Sequence, residues 1–114
     1  MGSSRGNPIP TAVRTTVYER ENRQCLRCGG SASGGGIHHR IRRREGGHDV
    51  SNVVLLCGKC HRWAHSRPVA ARAGGFIIPT WEQRATTEIP VAAFYGAVTL
   101  DDEGGVAWVV QHTA

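Results

Sequence analysis

No stretch of this 114-residue chain is apolar for long enough to cross a membrane or to form the core of a secretory signal near Met1, and we expect a cytoplasmic protein in a reducing environment. Internal repeats and low-complexity tracts are also missing, which excludes the repeat architectures. No cysteine stands alone, since the four fall into two close pairs, Cys25/Cys28 and Cys57/Cys60. Acids are nearly absent from residues 37–67, which hold two against seven Lys/Arg. Bases are nearly absent from residues 80–114, which hold one Arg against five acids. The net charge of +5 is thus concentrated in the middle of the chain, where it suits a polyanionic partner or is an ordinary solvated surface.

What is present begins with the cysteines. A domain of this size buries a modest share of its surface and gains much from a structural metal. The two-residue gap inside each pair lets both sulfurs reach one ion, so four thiolates can surround a tetrahedral Zn²⁺ at about 2.3 Å. In a secreted chain the same four would instead be read as a disulfide framework. The 28 residues between Cys28 and Cys57 exceed the spacer of a compact zinc finger, so an inserted element must separate the two knuckles.

Residues 1–14 are expected to form a mobile arm, with Gly, Ser, Asn and Pro at its start. A helix capped by Thr15 should run toward Cys25. Gly29-Gly30 closes the first knuckle, and residues 31–36 connect to a strand over 37–43. A turn over 44–50 with Gly46-Gly47 leads to a second strand over 53–56, and a helix follows over 59–66. Pro68 opens another short helix that stops near Gly74-Gly75, and residues 76–78 are extended. Residues 91–100 and 106–110 should form a terminal β-hairpin around the acidic turn 101–105, with Phe94 and Trp108 in its core. The chain thereby divides into the arm 1–14, a zinc-braced domain 15–75 and an extension 76–114 that packs on the domain or meets a partner through its acidic hairpin.

The histidines carry the second chemistry. His61 and His65 lie one helical turn apart, so their imidazoles share a face, as two ligands of one ion require. Alternatively, His61 adds to the cysteine knuckle and His65 is solvated. His38 and His39 are adjacent and would face opposite sides of a regular strand, so either the strand breaks there or one of the two only packs. His48 and His112 fit no pattern and read as surface residues.

The run Ile37-His38-His39-Arg40, then Gly46-Gly47, Ser51-Asn52-Val53-Val54-Leu55-Leu56-Cys57 and Cys60-His61 through His65 resembles the HNH endonucleases, and the cysteine pairs resemble the zinc-bound branch of that family. The likeness covers about residues 25–65, and the flanks are similar to small HNH proteins of actinobacterial phages. It implies a small α+β protein whose ββα-metal (His-Me finger) core is braced by the cysteine zinc site. It implies His39 as general base and Asn52 as the central Asn that orients the base loop or touches the metal. His38, His61 and, as in colicin-type members, His65 would hold a divalent ion. Such a nitrogen-rich site favours Zn²⁺, Ni²⁺, Mn²⁺ or Co²⁺ over Mg²⁺.

Arg40, Arg42, Arg43 and Arg44 are candidates for phosphate contacts, Arg40 first among them, and such contacts position a backbone without reading bases. The implied activity is metal-dependent hydrolysis of double-stranded DNA, leaving 5′-phosphate and 3′-hydroxyl ends. For a phage protein the implied setting is genome packaging beside the terminase large subunit in the bacterial cytoplasm. The competing reading is a catalytically silent zinc module that binds DNA or protein.

Overall fold

The computed structural model describes residues 8–109; the first part of the expected arm, His112 and the end of the last expected strand lie outside them. Among the described residues no helix is long and apolar enough to cross a membrane. Helix α1 spans Thr11–Arg20, ahead of the expected start, because Pro10 (φ −57°) already sets the entry and its carbonyl accepts from Arg14. It ends where Asn22 and Arg23 turn left-handed, at φ 55° and 59°.

Val17 is the one buried residue of α1, so a polar anchor does much of the docking. The Arg20 guanidinium bonds the Glu21 carboxylate at 2.6 and 2.7 Å and donates to the carbonyls of Val50 (2.9 Å) and Val53 (2.6 Å). Glu21 in turn accepts the Leu55 N–H at 3.2 Å, and Leu26 N–H donates to the Leu55 carbonyl at 2.8 Å. Burying an ion pair gains little net energy, since desolvation offsets the attraction. Its use here is local: it satisfies the outer edge of the central strand, which would otherwise invite pairing.

That strand is β2 (Val53–Leu56), antiparallel to β1 (Gly36–His39) with Ile37 opposite Leu55 and His39 opposite Val53. All four β2 residues are buried, and alternation sends Val54 and Leu56 to one apolar cluster and Val53 and Leu55 to another. β1 stops at His39, earlier than the expected Arg43. Beyond it the Asn52 side chain takes over the pairing, accepting from Ile41 N–H at 2.8 Å and donating to the Ile41 and Gly47 carbonyls at 3.2 and 3.1 Å. The chain is thereby free to turn through the short α2 (Arg43–Gly46) and a 3₁₀ turn at Val50–Asn52.

Helix α3 (Gly58–Ser66) starts on the second cysteine knuckle, and α4 (Pro68–Ala73) follows with proline in its first turn. Gly75 (φ 79°) ends this stretch, where a Cβ would run into the Pro90 carbonyl. The C-terminal part is a three-stranded meander rather than one hairpin: β3 (Val91–Ala93), β4 (Gly96–Leu100) and β5 (Val106–Trp108). A two-residue turn at Phe94-Tyr95 splits the run expected as a single strand.

Phe94 and Trp108 are 48% and 63% exposed, which corrects their expected place in the core. β5 is an edge strand with every position exposed, and its Trp108 meets Tyr95 edge-on instead. The core is built by Val91, Val98 and Leu100, which share one cluster with Cys25, Leu26, Leu56, Cys60 and Phe76. Asp102, in the acidic turn read as a partner contact, accepts the Ser51 N–H of this same chain at 2.8 Å.

Candidate active site

The four cysteines converge from the loop after α1 and from the start of α3. Their sulfurs all lie within 4.8 Å of one another, and Cys28 and Cys57 are 3.9 Å apart. A tetrahedron of ligands at about 2.3 Å places its sulfurs ~3.8 Å apart, so the spacing fits one Zn²⁺ and is far too long for a disulfide. All four are free thiols. Backbone N–H groups of Gly30 and Cys60 point at the Cys28 and Cys57 sulfurs, each at 3.4 Å.

Arg27 donates to Cys60 at 3.4 Å while its guanidinium lies 3.6 Å from the centre of the Trp63 ring. Burial pushes the Cys60 thiol up to about 12, whereas hydrogen bonds from Cys60, Cys25 and Cys28 outweigh burial at Cys57 and bring it to about 7. Four thiolates therefore need a cation among them, and the donor set is the one zinc takes. A zinc ion held by the four cysteines would join Cys25 and Cys60 of the main core, so stripping it should abolish cooperative thermal unfolding. Circular dichroism melts before and after mercurial displacement and chelation check this, and an unchanged melt would contradict it.

The second cluster is built from β1 and α3. Ligand nitrogens of His38, His61 and His65 lie within 4.8 Å of one another, with the Nε2 atoms of His61 and His65 3.2 Å apart. His38 is buried, and its Nε2 is 2.7 Å from the Phe76 carbonyl. A carbonyl only accepts, so Nε2 carries the proton and Nδ1 keeps the lone pair that a cation requires. Burial holds the His38 imidazole down at about 4; the Phe76 bond opposes this, and His61, His65 and His39 add to it. His61 is lowered too, by burial first and then by His65. These three imidazoles, one buried, one half-buried and one exposed, could hold a cation between them.

His39 points to the other side of β1, as strand alternation demands, yet β1 ends there and both histidines line the same two surface grooves. Its Nε2 lies 3.0 Å from Nδ1 of His48. Burial, then His48 and Arg43, keep His39 low at about 4. His48 is thus half-buried beside a site residue, correcting its reading as a surface histidine. The available signal was its place after Gly46-Gly47, on the loop that must fold back to deliver Asn52 to β1. Asn52 is fully buried and bonds the backbone of Ile41 and Gly47, so it shapes this loop.

The arginines separate sharply. Arg40 is 1% exposed and donates to the carbonyls of Gly75, Ser51, Thr86 and Ile89 at 2.7–3.2 Å. Its expected phosphate contact is therefore withdrawn, because the guanidinium is spent on the interior. Arg42, Arg43 and Arg44 are exposed and border a groove of about 460 Å³ that contains His38, His39, His61 and His65.

Residues 25–67 match the family model described as HNH endonuclease, a span holding both cysteine pairs, the three-histidine cluster, His39, His48 and Asn52. Searches of curated proteins and of solved structures find no match.

Proposed function

Since residues 25–67 belong to the HNH endonuclease family, with a four-cysteine cluster that fits its zinc-bound branch, we propose that this chain hydrolyses phosphodiester bonds of DNA. In this reading β1, β2 and α3 are a ββα-metal core. One observation carries it: beside a separate four-cysteine site, three histidine nitrogens lie within 4.8 Å of one another at the end of the strand that also presents His39. A purely structural zinc module has no use for that second site. A divalent ion held by His38, His61 and His65 would offset the charge developing on the phosphate and on the departing 3′ oxygen. Its nitrogen ligands favour Zn²⁺, Ni²⁺, Mn²⁺ or Co²⁺ over Mg²⁺.

His39 is the general base. It can take a proton from water only with a free lone pair, so its Nε2–H must donate to His48 Nδ1 and its own Nδ1 must face the water. His48 is then a positioning residue that sets the tautomer of the base. Replacing His48 with Ala should lower kcat about 10- to 100-fold with little change in KM, and His48→Gln, whose amide oxygen can accept the same hydrogen bond, should recover part of the loss. Equal damage from both variants would point to a merely structural role.

Arg42, Arg43 and Arg44 bind the phosphate backbone, which makes binding salt-sensitive and weakly sequence-selective. Genome packaging beside a phage terminase is the narrowest setting, and it rests on the resemblance of the flanks to small phage HNH proteins alone, since the family match ends at residue 67. Relaxation of supercoiled plasmid separates the two function classes, because a silent zinc module would retard the plasmid in a gel and leave it supercoiled.

A further inference from the structure

His38, His39, Arg42 and His65 border two grooves at once. One is the arginine-lined groove described above. The other, about 380 Å³, leads toward α4 and residues 77–81 and has Arg72 and Trp81 on its walls. Its volume lies in the range of about 300–1,000 Å³ that ligand clefts occupy.

Trp81 is 74% exposed, and among the described residues its indole takes part in no hydrogen bond, ring stack or cation contact. The backbone around it is nevertheless anchored. A turn closed by Glu82 N–H on the Pro79 carbonyl (3.0 Å) carries it, and the adjoining Ile78 is buried, with its N–H on the Arg40 carbonyl at 2.8 Å. The backbone three residues before Trp81 is thus hydrogen-bonded to the residue that follows His39. Arg42 and Arg72 are exposed along the groove, and the acid beside Trp81, Glu82, has both carboxylate oxygens engaged by Arg84 at 3.0 and 3.1 Å. An open aromatic face with arginines lining the same groove is the chemistry that takes up a nucleobase and its adjoining phosphates.

We propose that this second groove is a nucleobase subsite, in which an unpaired base next to the scissile phosphate stacks on Trp81 while Arg72 and Arg42 hold the adjoining phosphates. This rests on the nuclease reading and narrows its substrate. In continuous duplex a base is already stacked on both faces, and extracting it is costly, least so where it is mismatched or single-stranded. The preferred DNA therefore has a frayed, bulged or mismatched nucleotide at the cut.

Fluorescence anisotropy tests this with zinc-loaded His39→Ala protein, which leaves substrate intact, and two labelled duplexes that differ by a single bulged thymidine. The bulged duplex should bind more tightly. Adding Trp81→Ala should remove that preference, weakening bulged-duplex binding by roughly 5- to 150-fold, the range for losing one aromatic stack. Trp81→Phe should keep most of it, and Trp108→Ala, which removes an exposed indole on β5, should keep all of it. Equal affinity for both duplexes, or a Trp81→Ala loss of the same size on both, would overturn the subsite. Plasmid cleavage by the wild-type chain, run in parallel, decides the nuclease reading separately: a Trp81-dependent preference without cleavage leaves the subsite standing on a binding protein.

Discussion

His39→Ala should reduce DNA cleavage by about 10²- to 10⁴-fold, the contribution of one well-placed general base, while DNA affinity stays close to wild type. The imidazole lies at the end of β1, and the exposed guanidinium groups of Arg42, Arg43 and Arg44 border the groove, so under the proposed function removing the ring takes away the proton acceptor and leaves the arginines in place. The pH profile gives a second readout. An imidazole of ordinary pKa is lost as a base when the pH falls through 6.5, whereas His39 is held at about 4 and stays neutral. His38, also held at about 4, keeps its lone pair over the same interval. The acid limb of kcat/KM should therefore be flat as pH falls from 7 to about 5.5, and a tenfold loss per pH unit beginning at 6.5 would contradict it. Cleavage by His39→Ala at the wild-type rate would remove the base assignment altogether.

Arg40→Met should destabilise the fold by about 3 kcal/mol or more, at ~1–3 kcal/mol for each buried carbonyl left without a donor, a large part of the ~5–15 kcal/mol that holds a domain together. The guanidinium gathers carbonyls from the 3₁₀ turn before β2, from the residues after α4 and from the segment leading to β3, so its loss takes the donor from three buried acceptors and one partly buried acceptor. No carboxylate pairs with it among the described residues, and burial first, then Arg20, bring it down to about 10. Lysine cannot replace it, since a single ammonium cannot reach carbonyls arranged around a planar fork. Urea unfolding measures the effect, and a loss below about 1 kcal/mol would show the network to be dispensable. Arg42→Ala should behave in the opposite way, leaving stability unchanged and weakening DNA binding in a salt-dependent manner.

That contrast also shows where a sequence stops being legible. Arg40 and Arg42 are two residues apart in one basic run, and nothing local separates a cation for phosphate from one for the interior. The difference arises because residues 75, 86 and 89, far along the chain, return to enclose Arg40. The cysteine pairs were readable because a two-residue gap is itself a metal-binding geometry, and His61 and His65 because a helix fixes what lies one turn away. For His48 the sequence offers only its place after Gly46-Gly47, since its partner depends on how Asn52 folds the intervening loop. Strand β1 looked longer because its continuation is rich in Ile and Arg, yet a side-chain amide replaces its strand partner after His39. Aromatic residues misled in the C-terminal part, where β propensity marks a strand without saying which face is covered, and where Trp108 falls on an exposed edge.

In the proposed function the cysteine site holds the fold and the histidine site cuts DNA with a metal of its own. Conversion of supercoiled plasmid by protein already carrying one tightly bound zinc, with Mn²⁺, Ni²⁺, Co²⁺, Zn²⁺ or Mg²⁺ added in turn, tests it most directly when wild type is run beside His38→Ala and His61→Ala. The account predicts nicked or linear product from the wild type with an added divalent ion, and none from either variant although both keep their zinc and their melting transition. Wild-type protein that binds the plasmid yet leaves it supercoiled with every ion, or variants that cut as well as wild type, would contradict it.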